Sequence, residues 1–214
     1  MATQRKITQT LLDVAGRTYA AEAGIRLADT PSPLYRLLVL SVLLSTRIKA
    51  DIAVAASREL SEAGFTTPRA MLDATWQQRV DALGRAHYVR YDESTATALG
   101  EGAQLLTDSY RGDLRRLRDE AGGDVGTLRR LLRRFPRLGP VGADIFCREA
   151  QQVWPGLRPY LDRKALAGAG KIGLPEDPRR LSRLIGADRL AALSAGLIRV
   201  GLDRRLADRV RNAG

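Results

Sequence analysis

The sequence predicts an all-α protein. Apolar residues recur at three- and four-residue spacing along nearly the whole chain. No stretch alternates apolar and polar residues with period two for long, so strands are not expected. Gly, Pro, Ser, Thr and Asp interrupt the periodic stretches at short intervals, which reads as roughly ten to twelve short helices with short connections. The hydrophobic fraction is 44% and the aromatic fraction 5%, so a core is available and Leu, Ala and Val fill most of it.

Each element has its own signal. "ITQTLLDVAGRTYAAEAG" sets Ile7, Leu11, Val14 and Tyr19 on one face and stops at a glycine. "SPLYRLLVLSVLLS" opens with Ser32 as N-cap and Pro33 in the first turn. "RIKADIAVAASRELSEAG" ends at Gly64, and "TTPRAMLDA" and "TWQQRVDALG" each open on a Thr or Pro signal. "RAHYVRY" leads into the long "DESTATALGEGAQLLTDSY", and "DVGTLRRLLRRF" follows. A helix from Gly142 to Val153 comes next, then one opened by Asp162; "DPRRLSRLIG" and "DRLAALSAGLIRVG" close the fold. Boundaries suggest themselves at "DTPS", residues 29–32, and "WPGLRP", residues 154–159. The expected division is a central bundle, residues 31–150, and a second lobe of residues 1–30 with 151–214.

Charge narrows the partners. The net charge is +11. Residues 1–110 carry 12 Lys/Arg and 12 Asp/Glu, so the excess arises in residues 111–214, with 23 and 12. A concentrated positive field attracts polyanions, nucleic acid first among them. Arginine outnumbers lysine 31 to 4, which a GC-rich genome also produces. The longest apolar run, "LLVLSVLLS", has nine residues against the roughly 20 needed to span a bilayer, so no membrane role is expected. One cysteine, Cys147, excludes an internal disulfide framework and a four-cysteine metal site. The only histidine, His87, is no metal site by itself. The expectation is a cytoplasmic, nucleoid-associated bacterial monomer that meets double-stranded DNA.

The densest chemistry surrounds "FPRLGPVGADIF", residues 135–146. Leu138 closes one helical segment, and Gly139, Pro140, Val141, Gly142 and Ala143 turn the chain into the next. Glycines take backbone angles closed to other residues, and Pro140 has no N–H. The first amides of the following helix have no carbonyl behind them, and with the helix dipole they form an anion site. Such a site grips a DNA phosphate without reading a base. Arg134 and Arg137 lie just upstream, as does Arg133. An ordinary helix–turn–helix corner would share these features.

This hairpin, its helix, the Gly/Pro-rich loop "VWPGLRP" and the following "YLDRKALAG" resemble the helix-hairpin-helix DNA glycosylase superfamily, most nearly its endonuclease III branch. "PLYRLLVLSVLLSTRIKADIAV" is similar to an early helix of that branch, and the resemblance runs in order over about residues 8–200. It implies a two-lobed fold with a DNA cleft between the lobes, and base excision on a nucleotide flipped from the duplex. Asp162 falls on the family's catalytic aspartate, 18 residues after Asp144. A carboxylate there stabilises the cation-like sugar formed as a glycosidic bond breaks. A helix N-cap is the ordinary alternative for that residue. Arg47 falls where the family fills the gap left by the extruded nucleotide. His87 and Tyr88 fall in its intercalating loop, where they wedge or simply pack.

The chain also departs from that pattern. The branch's lyase lysine is replaced by Asp144, which cannot form an imine, so a monofunctional glycosylase is implied. Asp144 either perturbs Asp162 or pairs with an arginine. Lys164 is the nearest alternative amine for a lyase step. A non-catalytic protein that recognises damaged DNA on the same scaffold is the competing reading. The C-terminal cysteines of the family's iron–sulfur cluster are missing, so no such cofactor is expected, and Cys147 reads as core. The resemblance leaves room only for a monovalent cation at the hairpin.

Overall fold

The computed structural model describes residues 2–212, and among them every regular element is helical. Packing divides the chain into two units: Ala20–Phe146, and Met1–Tyr19 with Cys147–Gly214. The lines drawn from sequence at 30/31 and 150/151 fall further along the chain. Residues 20–25 are fastened within the first unit. Arg58 donates to the carbonyl of Glu22, Arg36 donates to that of Gly24 at 3.2 Å, and Ala20, Ala23 and Ile25 are buried.

The unit Ala20–Phe146 contains α2 (Tyr19–Glu22, beginning one residue earlier), α3 (Pro31–Leu44), α4 (Ala50–Glu62), α5 (Pro68–Asp73), α6 (Trp76–Arg85), α7 (Asp92–Tyr110), α8 (Leu114–Glu120) and α9 (Val125–Leu132). It also holds the start of α10 (Pro140–Ala150). Helix α3 is the apolar centre: Leu34, Tyr35, Leu37, Leu38, Val39, Leu40, Val42 and Leu43 are all buried. A helix apolar on every side belongs inside a protein, and α3 packs against α4 and α8. Side-chain caps set several starts. Thr75 and Gln78 form a reciprocal capping box, and Asp113 and Asp124 accept amides of α8 and α9. Helix α3 starts before the expected Ser32 cap: Thr30 holds the N-cap position without a side-chain hydrogen bond to the helix, Pro31 stands in the first turn, and Ser32 donates its hydroxyl to the carbonyl of Thr66 at 2.9 Å. Helix α8 had no place in the sequence reading.

The other unit is built around α13 (Leu190–Leu202), which is buried along most of its length. Helices α1 (Ala2–Ala15), α11 (Arg163–Lys171) and α14 (Arg204–Asn212) pack on it, and α12 (Pro178–Ser182) completes the unit. Ile7, Leu11, Ala165, Ala169, Leu193 and Leu197 share its core. Gly168 is required by the closest approach: a Cβ there would collide with the carbonyl of Leu197. The first helix differs from expectation. It ends at Ala15, and Val14 is 44% exposed while Leu12 and Ala15 take the buried face. Helix α14 follows α13, so the fold closes one helix later than expected.

The charge does not follow the halves of the sequence. The unit Ala20–Phe146 carries 18 Lys/Arg and 16 Asp/Glu, a net +2. Its counterpart carries 17 and 8, a net +9. Among the described residues no helix is long and apolar enough to cross a membrane.

Candidate nucleic-acid interface

The hairpin starts where α9 runs out. Phe135 N–H reaches the carbonyl of Leu132, and Leu138 N–H that of Phe135, each at 3.1 Å. Between them Arg137 takes a left-handed backbone, φ 61°. An L-residue other than Gly pays about 1–2 kcal/mol for that angle, so the surroundings must hold it. They do so from three sides. Ser45 Oγ lies 3.1 Å from the Arg137 carbonyl, Arg137 Nη1 donates to Ser94 Oγ at 2.8 Å, and its guanidinium stands 5.5 Å from the centre of the Tyr91 ring.

Helix α10 opens at Pro140, two residues before the expected Gly142. Ala143 N–H returns to the carbonyl of Gly139 at 3.0 Å. The amides of Val141 and Gly142 precede that bond and have no helical carbonyl to reach. Gly139, Pro140 and Val141 are exposed, whereas Leu138 and Ala143 are buried and anchor the turn. The two glycines have separate reasons. A Cβ on Gly142 would stand 2.7 Å from Leu138 Cδ1 and 3.2 Å from Ser45 Cβ, so Gly142 lets the hairpin close on the end of α3. A Cβ on Gly139 would meet nothing within 4 Å, so that side is open.

The end of α3 brings Arg47 into the same neighbourhood. Ser45, Thr46, Arg47, Tyr91 and Arg137 line a shallow depression of about 380 Å³. Arg47 and Arg137 are exposed and form no ion pair. Arg134 is also exposed and donates to Tyr110 Oη at 3.3 Å. Carbonyl oxygens, the donor type a monovalent cation accepts, are present at Phe135, Arg137 and Gly139. Each already accepts one hydrogen bond and keeps a second lone pair. Among the described residues no group of three or more His, Cys, Asp or Glu side chains is gathered as metal ligands.

The loop between α6 and α7 corrects one assignment. Tyr88 is fully buried, and its hydroxyl stands 2.8 Å from Thr46 Oγ1. Burial pushes its phenol pKa up, against the opposing hydrogen bond of Thr46. A ring packed this way is core, not a wedge. His87 is exposed, with a left-handed backbone of φ 58°. Two neighbours that the sequence reading passed over are better displayed. Val89 is 63% exposed, and Tyr91 lies under both Arg90 and Arg137. Nothing local in the sequence marked either residue, since a loop has no period from which to read a face.

Asp144 follows the arginine alternative: its Oδ1 is 2.8 Å from Arg129 Nη2. Asp162 belongs to the other unit. Its Oδ1 caps α11 by accepting Ala165 N–H at 3.2 Å and lies 3.6 Å from Arg148 Nη1. That separation is an ion pair without a hydrogen bond, and Arg148 Nη1 has no hydrogen-bond partner. The loop that delivers Asp162 is clamped by Gln151. The Gln151 amide accepts Tyr160 N–H and donates to the Tyr160 carbonyl, both at 2.9 Å. Arg158 adds hydrogen bonds to the carbonyls of Gln151 and Gln152. Neither Gln151 nor Arg158 was singled out from sequence, because an exposed polar residue and a buried clamp look alike there. Lys164 is exposed in the first turn of α11, and Cys147 is fully buried. No family model matches this chain, and no curated protein matches it.

Proposed function

We propose that this chain binds duplex DNA and acts in DNA repair as a monofunctional glycosylase, on the two-lobed helix-hairpin-helix scaffold it resembles. One observation carries the reading. Ser45 ties the start of α10, where Val141 is exposed, to the depression lined by the exposed Arg47 and Arg137: its Oγ lies 3.1 Å from the Arg137 carbonyl, and its Cβ would lie 3.2 Å from a Cβ on Gly142. Open amides at a helix start suit a phosphate, and two arginines without acidic partners suit its neighbours. The depression beside them suits an unstacked nucleotide, with Tyr91 as an aromatic face.

In this reading Asp162 is the catalytic group. Its carboxylate stabilises the cation-like sugar as the base leaves, and Gln151 and the α11 cap hold it in one orientation. The reading requires that carboxylate to reach the deoxyribose of a nucleotide gripped at the hairpin. Asp144 is then a structural partner of Arg129 with no part in an imine step.

The non-catalytic reading has its own support: Asp162 already serves a helix cap and an arginine, which is work enough for a structural residue. Base release decides between them. Duplexes carrying oxidised, alkylated, deaminated or mismatched bases are incubated with the protein and assayed for excised base. Release lost in Asp162→Asn supports the glycosylase. Duplex binding without release on any substrate supports the binder, and no duplex binding sinks both. Borohydride trapping on abasic DNA tests Lys164: a covalent complex lost in Lys164→Ala would make the protein a lyase.

A further inference from the structure

The unit without the hairpin carries most of the net charge. Arginine-rich composition does not account for this. The unit Ala20–Phe146 holds 18 basic residues and is nearly balanced by 16 acidic ones, whereas its counterpart sets 17 against 8. Self-repulsion of that size weakens a fold, so the excess is unexplained by stability.

Helix α14 concentrates it. Its sequence, RRLADRVRN, has four arginines and one acid. Ala207 and Val210 are buried in the unit's core, and Leu206 packs against it, so the apolar side is already used. Asp208 draws on two of the arginines, Arg211 at 2.8 Å and Arg204 at 4.0 Å. Arg205 and Arg209 are exposed, form no ion pair, and lie one helical turn apart on one face. The helix dipole favours Arg209 near the C-terminal end but opposes Arg205 in the first turn. Asp203, which caps the helix through Leu206 N–H at 3.1 Å, offsets that only in part. Helix α14 packs beside α1, which adds exposed Arg5 and Lys6 to the field.

We propose that the outer face of α14, centred on Arg205 and Arg209, is a second contact surface for the phosphate backbone of double-stranded nucleic acid. It reads no sequence, since arginines on a convex helix face meet phosphates and not base edges. An anionic membrane is the weaker partner. Basic amphipathic helices bind bilayers by inserting their apolar face, and here that face lies in the core. The surface shares its partner with the proposed function, but it depends neither on base excision nor on the hairpin.

The test is the salt dependence of full-length protein binding to an unmodified random-sequence duplex. Removing two phosphate contacts lowers the slope of log affinity against log salt by about 1.8. R205Q combined with R209Q is expected to show that loss, with an unchanged melting curve because both side chains are exposed. The control removes the same charge elsewhere: R69Q with R85Q, whose arginines pair with Asp73 and Glu59. An unchanged slope in R205Q/R209Q overturns the proposal. So does an equal fall in the control, which would make the effect one of net charge. Binding to phosphatidylserine vesicles that R205Q/R209Q abolishes, with the duplex slope unmoved, overturns it in favour of a membrane. Absence of base release leaves this result standing, so the two proposals fail separately.

Discussion

Arg148 Nη1 lies 3.6 Å from Asp162 Oδ1, and both side chains are 9% exposed. A buried arginine therefore depends on the carboxylate that also caps α11. Removing one member of such a pair leaves the other charge buried.

Asp162→Asn is consequently expected to do two things. It should abolish any base excision, and it should lower stability by about 1–3 kcal/mol by stranding Arg148. Arg148→Met in the Asn background should restore much of the stability and none of the excision. Urea midpoints and base-release rates measure the two effects separately. Excision at the wild-type rate in Asp162→Asn would remove the aspartate from the mechanism.

Gly139 and Gly142 should part company. Gly142→Ala forces a Cβ against buried Leu138, and overpacking of this kind costs about 1–3 kcal/mol. Gly139→Ala faces open space and should cost at most about 1 kcal/mol as a poorer start to α10. Its duplex affinity should nevertheless fall, by a similar factor on every sequence, because the added methyl stands where a phosphate would approach. Equilibrium melting and binding to several unrelated duplexes check both.

Arg137→Gly relieves the left-handed backbone, worth about 1–2 kcal/mol, and loses the bonds to Ser94 and the ring of Tyr91. The expected outcome is a melting temperature equal to or above wild type with weaker duplex binding. A variant that binds DNA as tightly as wild type would show that Arg137 serves the fold alone.

Tyr35 supplies an alkaline signature. It is buried, its hydroxyl has no hydrogen-bond partner, and burial raises its pKa well above the ordinary value, with Arg79 opposing. Its contribution to stability is thus full below the unfolded value of about 10 and is lost as pH rises from there toward the folded value. Tyr35→Phe removes that loss and an unsatisfied hydroxyl. It should be neutral or stabilising by up to about 1 kcal/mol at pH 7, and flatter than wild type above pH ~10. A clear destabilisation at pH 7 would mean that the hydroxyl has a partner.

Much of the local structure was legible in the sequence by itself. Helical periodicity named an all-α chain, and Thr67, Thr75 and Asp162 marked helix starts because capping is chemistry within four residues. The Gly/Pro turn into α10 was legible for the same reason, whereas the choice for Asp144 between Asp162 and an arginine stayed open until packing set it against Arg129. Tertiary packing decided the rest. Tyr88 and Val89 are adjacent, yet one lies wholly in the core and the other in water, since a loop has no period from which to read a face. Ser45 helps to explain Gly142, and Ser94 with Tyr91 explains Arg137, through contacts far apart in sequence. The charge excess likewise changed its address, because a unit that joins residues 1–19 to 147–214 is set by the burial of α1 on α13. No local pattern records a contact made across the length of the chain.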